Sequence, residues 1–292
     1  MKLTKILALA LAVMMLTFCF AACSNNSNTD VSNEGETENT ETPDNNAETP
    51  DVADDTNEGE TEEVEEENTE DNVLVMATNA YFKPYEYYEG DKIIGIDAEI
   101  AEAICEKLGM KLEISDMAFD SIITSVNEGA VDFGMAGMTV TEERLESVDF
   151  TSSYANGIQA IIVKEDSEIT TCDDLYVEGK DYKVGVQLGT TGDIYSTDDF
   201  GSENVVQYAN GNEAVLALVG GSVDCVIIDN EPAKALVAEN EGLKILETAY
   251  ADEDYAICVK KGNSELLEKL NGAIDELTAD GTIDKIVSKY IG

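Results

Sequence analysis

The 292-residue chain has no histidine and a single arginine, and it is poor in positive charge throughout. Seventeen Lys and Arg residues stand against 62 Asp and Glu, for a formal net charge of -45. The lack of histidine excludes every mechanism built on imidazole. No Cys-x-x-Cys pair is present either, so the usual ligand sets for zinc and iron are missing and no cofactor is expected. A chain this acidic is repelled by nucleic acid and by anionic lipid surfaces.

The one arginine, Arg144, stands out against that background. Lysine supplies generic positive charge, whereas arginine presents a planar fork that grips a carboxylate or phosphate through two parallel hydrogen bonds. Its segment, Gly137-Met-Thr139-Val-Thr-Glu-Glu-Arg144, allows two readings. Either Arg144 pairs with Glu142, Glu143 or Glu146 on a helix surface, as residues three or four apart do, or it holds an anionic ligand.

The longest apolar run lies at the N-terminus. Lys2 and Lys5 precede the run Ile6 to Phe20, and the small pair Ala21-Ala22 precedes Cys23. This order reads as a signal peptide over residues 1–22. The run is short for a permanent span, which needs about 20 apolar residues. Phe20-Ala-Ala-Cys23 resembles a bacterial lipobox, with Phe20 where leucine is usual. A diacylglycerol on Cys23 would anchor the chain to the outer face of the membrane without spanning it. Residues 24–72 hold 19 of the acidic residues and no Lys or Arg. Such a stretch cannot offset its chain entropy by burying apolar surface, so it reads as an extended acidic tether.

About 220 residues follow, enough for two lobes. Apolar strand-like runs alternate with helical periodicity: Val73 to Thr78, a helix from Asp97 (as N-cap) to Leu108 closed by Gly109, Lys111 to Ile114, a helix over Asp120 to Glu128, and Val131 to Met135. A second α/β unit runs from Lys183 to Leu246. Two long apolar strands, Gly157 to Val163 and Tyr255 to Val259, flank it as a hinge would. The amphipathic tail from Ser264 to Ile291 is placed back on the first lobe. The rhythm implies mainly parallel sheets with helices on both faces. Cys105, Cys225 and Cys258 have apolar flanks and read as buried thiols. Export would also permit bridges Cys172–Cys225 or Cys105–Cys258.

Ligands of open α/β sheets bind beyond the carboxyl ends of the strands. The loops expected there carry Asn79 and Phe82, Gly137 and Thr139 leading to Arg144, Gln187 with Gly189-Thr190-Thr191-Gly192, and Asp229. The set complements an α-amino acid. Arg144 grips the carboxylate, and Thr139 with the N–H groups of Thr190 and Thr191 completes the anion site. Asp229 holds the ammonium, and Phe82 and Phe119 flank the side chain. Each has a structural rival: a capped turn for Thr190, a helix N-cap for Asp229, and core packing for the two phenylalanines.

Several segments resemble, in order, the polar-amino-acid solute-binding proteins of ABC importers. They are Gly95-Ile-Asp-Ala-Glu-Ile-Ala-Glu-Ala-Ile104, Ala136 to Arg144, Val148-Asp-Phe-Thr-Ser-Ser-Tyr154 and Asp280 to Tyr290. The resemblance implies a two-lobed periplasmic-binding-protein fold of type II with a two-stranded hinge. It divides the chain into lobe 1 at 73–154 plus 255–292 and lobe 2 at 155–254. It implies a non-enzymatic monomer that traps a free amino acid and passes it to a permease. By position, Arg144 binds the carboxylate, Asp229 the ammonium, and Gly137, Thr139, Thr190 and Thr191 add contacts. Asn79, Phe82, Phe119 and Gln187 line the side-chain pocket. Asn79 stands where many members carry an acid, and Gln187 adds an amide; both favour a neutral polar ligand. Two rival readings are a dehydratase-like enzyme on the same scaffold and a sensory domain without a permease.

Overall fold

The computed structural model describes residues 72–247 and 250–292. The signal segment, Cys23 and the tether up to Asp71 lie outside the described residues. Asn72, read from composition as the last tether residue, already belongs to the fold. Its carbonyl accepts from Lys111 N–H at 2.8 Å and its side chain donates to Gly109 O at 2.7 Å.

The first run of elements is β1 (Val73–Thr78), β2 (Tyr81–Phe82), β3 (Glu86–Glu89), β4 (Lys92–Ile94), α1 (Ile96–Leu108), β5 (Lys111–Asp116), α2 (Ile122–Glu128), β6 (Phe133–Gly134), α3 (Glu142–Ser147) and β7 (Val148–Phe150). The second is β8 (Ala155–Lys164), β9 (Val184–Gln187), α4 (Thr191–Phe200), β10 (Val205–Tyr208), α5 (Gly211–Gly220), β11 (Cys225–Asp229), α6 (Asn230–Glu239), β12 (Leu243–Ile245) and β13 (Ala251–Tyr255). The chain then adds β14 (Cys258–Lys260), α7 (Ser264–Ala279) and α8 (Thr282–Tyr290).

Two larger sheets define two lobes. The first has strand order β5-β1-β6-β14-β7, and the second β10-β9-β11-β8-β12 with β13 also paired to β8. In each, three strands form a parallel ladder, β5-β1-β6 and β10-β9-β11. The remaining strands join antiparallel through β14 and β8. The chain passes from one sheet to the other between Phe150 and Ala155 and returns between Tyr255 and Cys258. The segment Tyr255 to Val259, expected as one long strand, is therefore split, with β13 in the second sheet and β14 in the first. The small antiparallel sheet β2-β3-β4 escapes the sequence reading, because its short strands carry Tyr, Glu and Lys rather than an apolar run.

Helix α1 shows how the first lobe is fixed. Ile96, Ile100 and Ile104, with Ala101 and Cys105, fall on one face and are buried. Each isoleucine contributes roughly 1.5–3 kcal/mol by leaving water. Gly109, at φ 68°, ends the helix, and its N–H bonds the Cys105 and Glu106 carbonyls. The N-cap is Gly95, not Asp97 as expected. Gly95 has φ 129°, and a side chain there would collide with the Tyr85 carbonyl. The next two N–H groups go to main-chain acceptors, Ile96 to Pro84 O at 3.1 Å and Asp97 to Tyr85 O at 2.9 Å. With capping done by the backbone, the Asp97 carboxylate turns inward and is buried.

The tail forms two helices, broken at Asp280-Gly281, that pack on α1. Leu270, Ala273, Ile274 and Leu277 share a core with Ile100 and Ile104, and Lys107–Glu276 (3.0 Å) and Lys289–Glu99 (2.5 Å) pair at the rim. Such exposed pairs add little stability; the apolar face carries the docking. Cys105, Cys225 and Cys258 are buried free thiols, as their apolar flanks indicate, and neither bridge that export would permit is formed. Cys172 is half-buried.

Candidate ligand-binding site

The carboxyl ends of the parallel strands of both sheets converge on one narrow cavity. All ten residues expected from the sequence line it: Asn79, Phe82, Phe119, Gly137, Thr139, Arg144, Gln187, Thr190, Thr191 and Asp229. Glu86 and Ala136 complete the wall.

Arg144 is only 6% exposed, which rules out the surface-pairing reading. Its backbone N–H is capped by Thr141 Oγ1 at 3.1 Å in the first turn of α3, aiming the side chain inward. Nη1 donates to Thr139 O at 2.7 Å, and Nη2 donates across the lobes to Gly189 O at 3.0 Å. The guanidinium lies 5.3 Å from the Phe119 ring centre, a cation–π stack. Both carbonyl bonds position the fork, and further donors remain at the cavity wall. Burial lowers the Arg144 pKa, while the charge of Glu253 opposes that shift.

Asp229 ends β11 at the N-cap position of α6, yet its side chain makes no capping bond. The carboxylate instead accepts from Tyr255 Oη and from Gln159 Nε2 (2.8 Å). It is buried, and desolvation pushes its pKa up to about 7 against the pull of those two donors; Glu253 adds a further upward push. Gly157, on β8, lies under Tyr255, and any side chain there would strike the Tyr255 hydroxyl. Glycine at this position keeps the Tyr255–Asp229 bond in place.

Asn79 and Gln187 meet across the lobes. Gln187 Nε2 donates to Asn79 Oδ1 at 3.0 Å, and Asn79 Nδ2 donates to Met117 O at 2.8 Å. Phe82 stacks on Tyr85 (5.7 Å between centroids), and Tyr85 meets Tyr255 edge-on at 5.2 Å. Phe82 and Phe119 are thus both core and cavity wall. Gly137 has φ 51°, and a Cβ there would lie 2.7 Å from Phe82 Cε1, so glycine permits the close approach.

Thr190 caps α4, its hydroxyl accepting from Asp193 N–H at 3.3 Å and donating to Gln187 O at 2.8 Å. Its own N–H goes to Gln187 O at 3.3 Å. The expectation that Thr190 N–H serves an anion is therefore not met, because the turn consumes it. The Thr191 hydroxyl accepts from Gln159 Nε2 at 3.3 Å.

Sequence reasoning missed Glu86, Asp97 as a buried acid, Gln159, Glu253 and Tyr255. Glu253 accepts from Thr139 Oγ1 and is 3% exposed. Its signal was strand alternation, since Glu253 and Tyr255 share the inward face of β13 while Asp252 and Asp254 point away. Burial first raises the Glu253 pKa, and the Thr139 hydrogen bond and Arg144 charge oppose it.

Two α/β lobes joined by two chain crossings and closed over a polar cavity, with a guanidinium from one lobe and a carboxylate from the other, define a solute-binding protein. The chain belongs to the bacterial extracellular solute-binding proteins, family 3, whose family model matches residues 74–292. It is 34% identical over 226 residues to the arginine-binding extracellular protein ArtP of Bacillus subtilis (strain 168), covering 74% of this chain and 85% of ArtP. It is also 34% identical over 220 residues to the putative ABC transporter arginine-binding protein 2 of Escherichia coli (strain K12), covering 73% and 88%. Among solved structures, an ancestral arginine-binding protein bound to glutamine is 42% identical with a TM-score of 0.71, covering 76% of this chain and 98% of that one. An ancestral arginine-binding protein bound to arginine, also 42% identical, superposes with a TM-score of 0.70, covering 76% and 99%. All are named as binding proteins.

Proposed function

We propose that this chain is an extracytoplasmic receptor that captures a free α-amino acid between its lobes and hands it to an ABC importer. The observation that carries this reading is the pairing, in one buried cavity, of the chain's only arginine with Asp229. A guanidinium and a carboxylate complement the two charges common to every α-amino acid. Lobe 1 (73–154 plus 255–292) supplies Arg144 and lobe 2 (155–254) supplies Asp229. A ligand touching both favours the closed arrangement by its differential contacts. The crossings near 150–155 and 255–258 act as the hinge.

The side-chain end of the cavity is read as neutral and polar, because Asn79 and Gln187 offer amides there. A second reading, a cationic amino acid, is favoured by the arginine-binding names of the relatives. Calorimetry against the full set of proteinogenic amino acids plus cystine tests both. The expected result is saturable binding with glutamine or asparagine tightest near neutral pH. Arginine tightest under the same conditions would replace the neutral reading with the cationic one, and silence across the panel from folded protein would sink the receptor claim.

The receptor is further proposed to be held at the outer face of the membrane through Cys23. An alkyne-tagged fatty acid fed to expressing cells is expected to label the chain, and Cys23→Ala is expected to abolish the label and release the protein. Equal labelling of the variant would refute the anchor.

A further inference from the structure

Glu86 is the one acidic or basic residue of the cavity wall that the contacts proposed for an α-carboxylate and an α-ammonium leave unused. It opens β3, is 1% exposed, and shares the wall with Asp229 and Gly137. The backbone bonds of Ile96 and Asp97 to Pro84 and Tyr85 bring the start of α1 against the start of β3, so the Glu86 and Asp97 carboxyls face each other. Asp97 Oδ2 is fully engaged, accepting from Gly137 N–H at 2.8 Å and Tyr154 Oη at 2.7 Å. Among the described residues no group donates to Asp97 Oδ1 or to either Glu86 oxygen, and all three atoms are buried. Three orphaned acceptors in one place would be costly for two ionised acids. A single proton between the carboxyls satisfies two of them and removes the repulsion.

We propose that Glu86 and Asp97 share one proton, and that this proton sets which side chains the cavity accepts. Held, it leaves Glu86 a neutral acceptor suited to an uncharged polar amino acid. Released, it makes Glu86 the counter-ion of a cationic one. In the exchange the Glu86 O–H bond breaks, the proton passes to solvent, and the ligand cation takes its place beside the carboxylate. The inference rests on the amino-acid-receptor reading.

The surroundings fit. The acids acting on Glu86 are Asp97 on α1, Asp229 on β11 and Asp116 on β5, with burial the largest influence, and all raise its pKa well above the usual carboxylate range. Asp97, with burial opposed by the Gly137 and Tyr154 hydrogen bonds, is raised only to about 6. The proton therefore resides on Glu86 and points to Asp97. Tyr85, beside the pair, and Tyr154 are neutral phenols whose pKa values are raised, chiefly by burial and Asp97. Glu231 on α6 acts on Tyr85 from the other lobe.

The test is the ratio of arginine to glutamine affinity as a function of pH. Both ligands present the same α-groups, so the titration of Asp229 cancels in the ratio. If arginine alone expels the proton, the ratio rises about tenfold per pH unit while the pair remains protonated. Calorimetry of the intact protein in two buffers of different ionisation enthalpy is expected to show one more proton released with arginine than with glutamine. Glu86→Gln, which cannot ionise, is expected to flatten the ratio. A flat ratio in the native chain, equal proton release for both ligands, or arginine silent at every pH while glutamine binds would each overturn the proposal and leave the receptor reading standing. Failure of both ligands and of every other amino acid would overturn the two together. The buffer experiment needs no variant, so a Glu86→Gln chain that fails to fold does not blunt the test.

Discussion

Arg144→Lys is expected to weaken amino-acid binding by about 100-fold, the equivalent of losing a bidentate, charge-assisted grip. The charge is conserved in this substitution, so the loss measures geometry. In the native chain the fork donates to Thr139 O and Gly189 O and stacks on Phe119 while still presenting donors to the cavity. An ammonium has three donors on one atom and cannot reach two separated carbonyls and a carboxylate together. One carbonyl would be left unpaired, which itself costs on the order of 1–3 kcal/mol. Burial also disfavours a lysine charge more readily than an arginine charge. Titration calorimetry with the best ligand of the panel measures the change. An affinity within about threefold of the native chain would mean that the carboxylate is held elsewhere, and the proposed site would have to be redrawn.

Asp229→Asn is expected to abolish measurable binding and, at the same time, to stabilise the ligand-free protein at alkaline pH. The sign follows from linkage. Burial raises the folded-state pKa of Asp229 from 3.8 to about 7. Between those limits the folded state holds a proton that the unfolded state has lost, so stability falls as pH rises through that window. The cost reaches on the order of 4 kcal/mol above pH 7, and roughly 1.5 kcal/mol of it is already present at pH 5. Asparagine cannot ionise and escapes the penalty. The melting-temperature gain of the variant over the native chain should therefore be larger at pH 8 than at pH 5, by several degrees for a chain of this size. A gain independent of pH would show that Asp229 is not a desolvated carboxylate, and retained binding would show that it does not hold the ammonium.

Why some of this was legible in the sequence and some was not has a physical explanation. The parallel strands and their helices announce themselves through apolar runs and 3.6-residue periodicity, and β1 occupies the expected residues. The cavity wall was legible because loops after parallel strands have a fixed place in such folds, which located Asn79, Thr139, Thr190 and Asp229 together. What stayed hidden depends on tertiary contact. Asp97 looks like a helix cap because Asp is a good one; only the collision that a side chain at Gly95 would make with Tyr85 O shows why glycine caps the helix. Glu86 and Glu253 look like two more surface acids in a chain with 62 acidic residues, until packing buries them. The break of the returning strand at Ala256-Ile257 carries no signal either, since both residues are apolar and belong to buried surface on either side.

The hydrogen bond between Gln187 and Asn79 makes the two lobes each other's ligand. An amide from one lobe occupies an amide of the other, so whatever enters between them trades against an internal stand-in. A guest that offers both a donor and an acceptor replaces that bond without loss. A guest of the same shape with only methylenes would strand two buried amides, each at a cost of about 1–3 kcal/mol. Apolar amino acids are therefore expected to bind more weakly than polar ones, as guests that cannot complete the circuit the two lobes make alone.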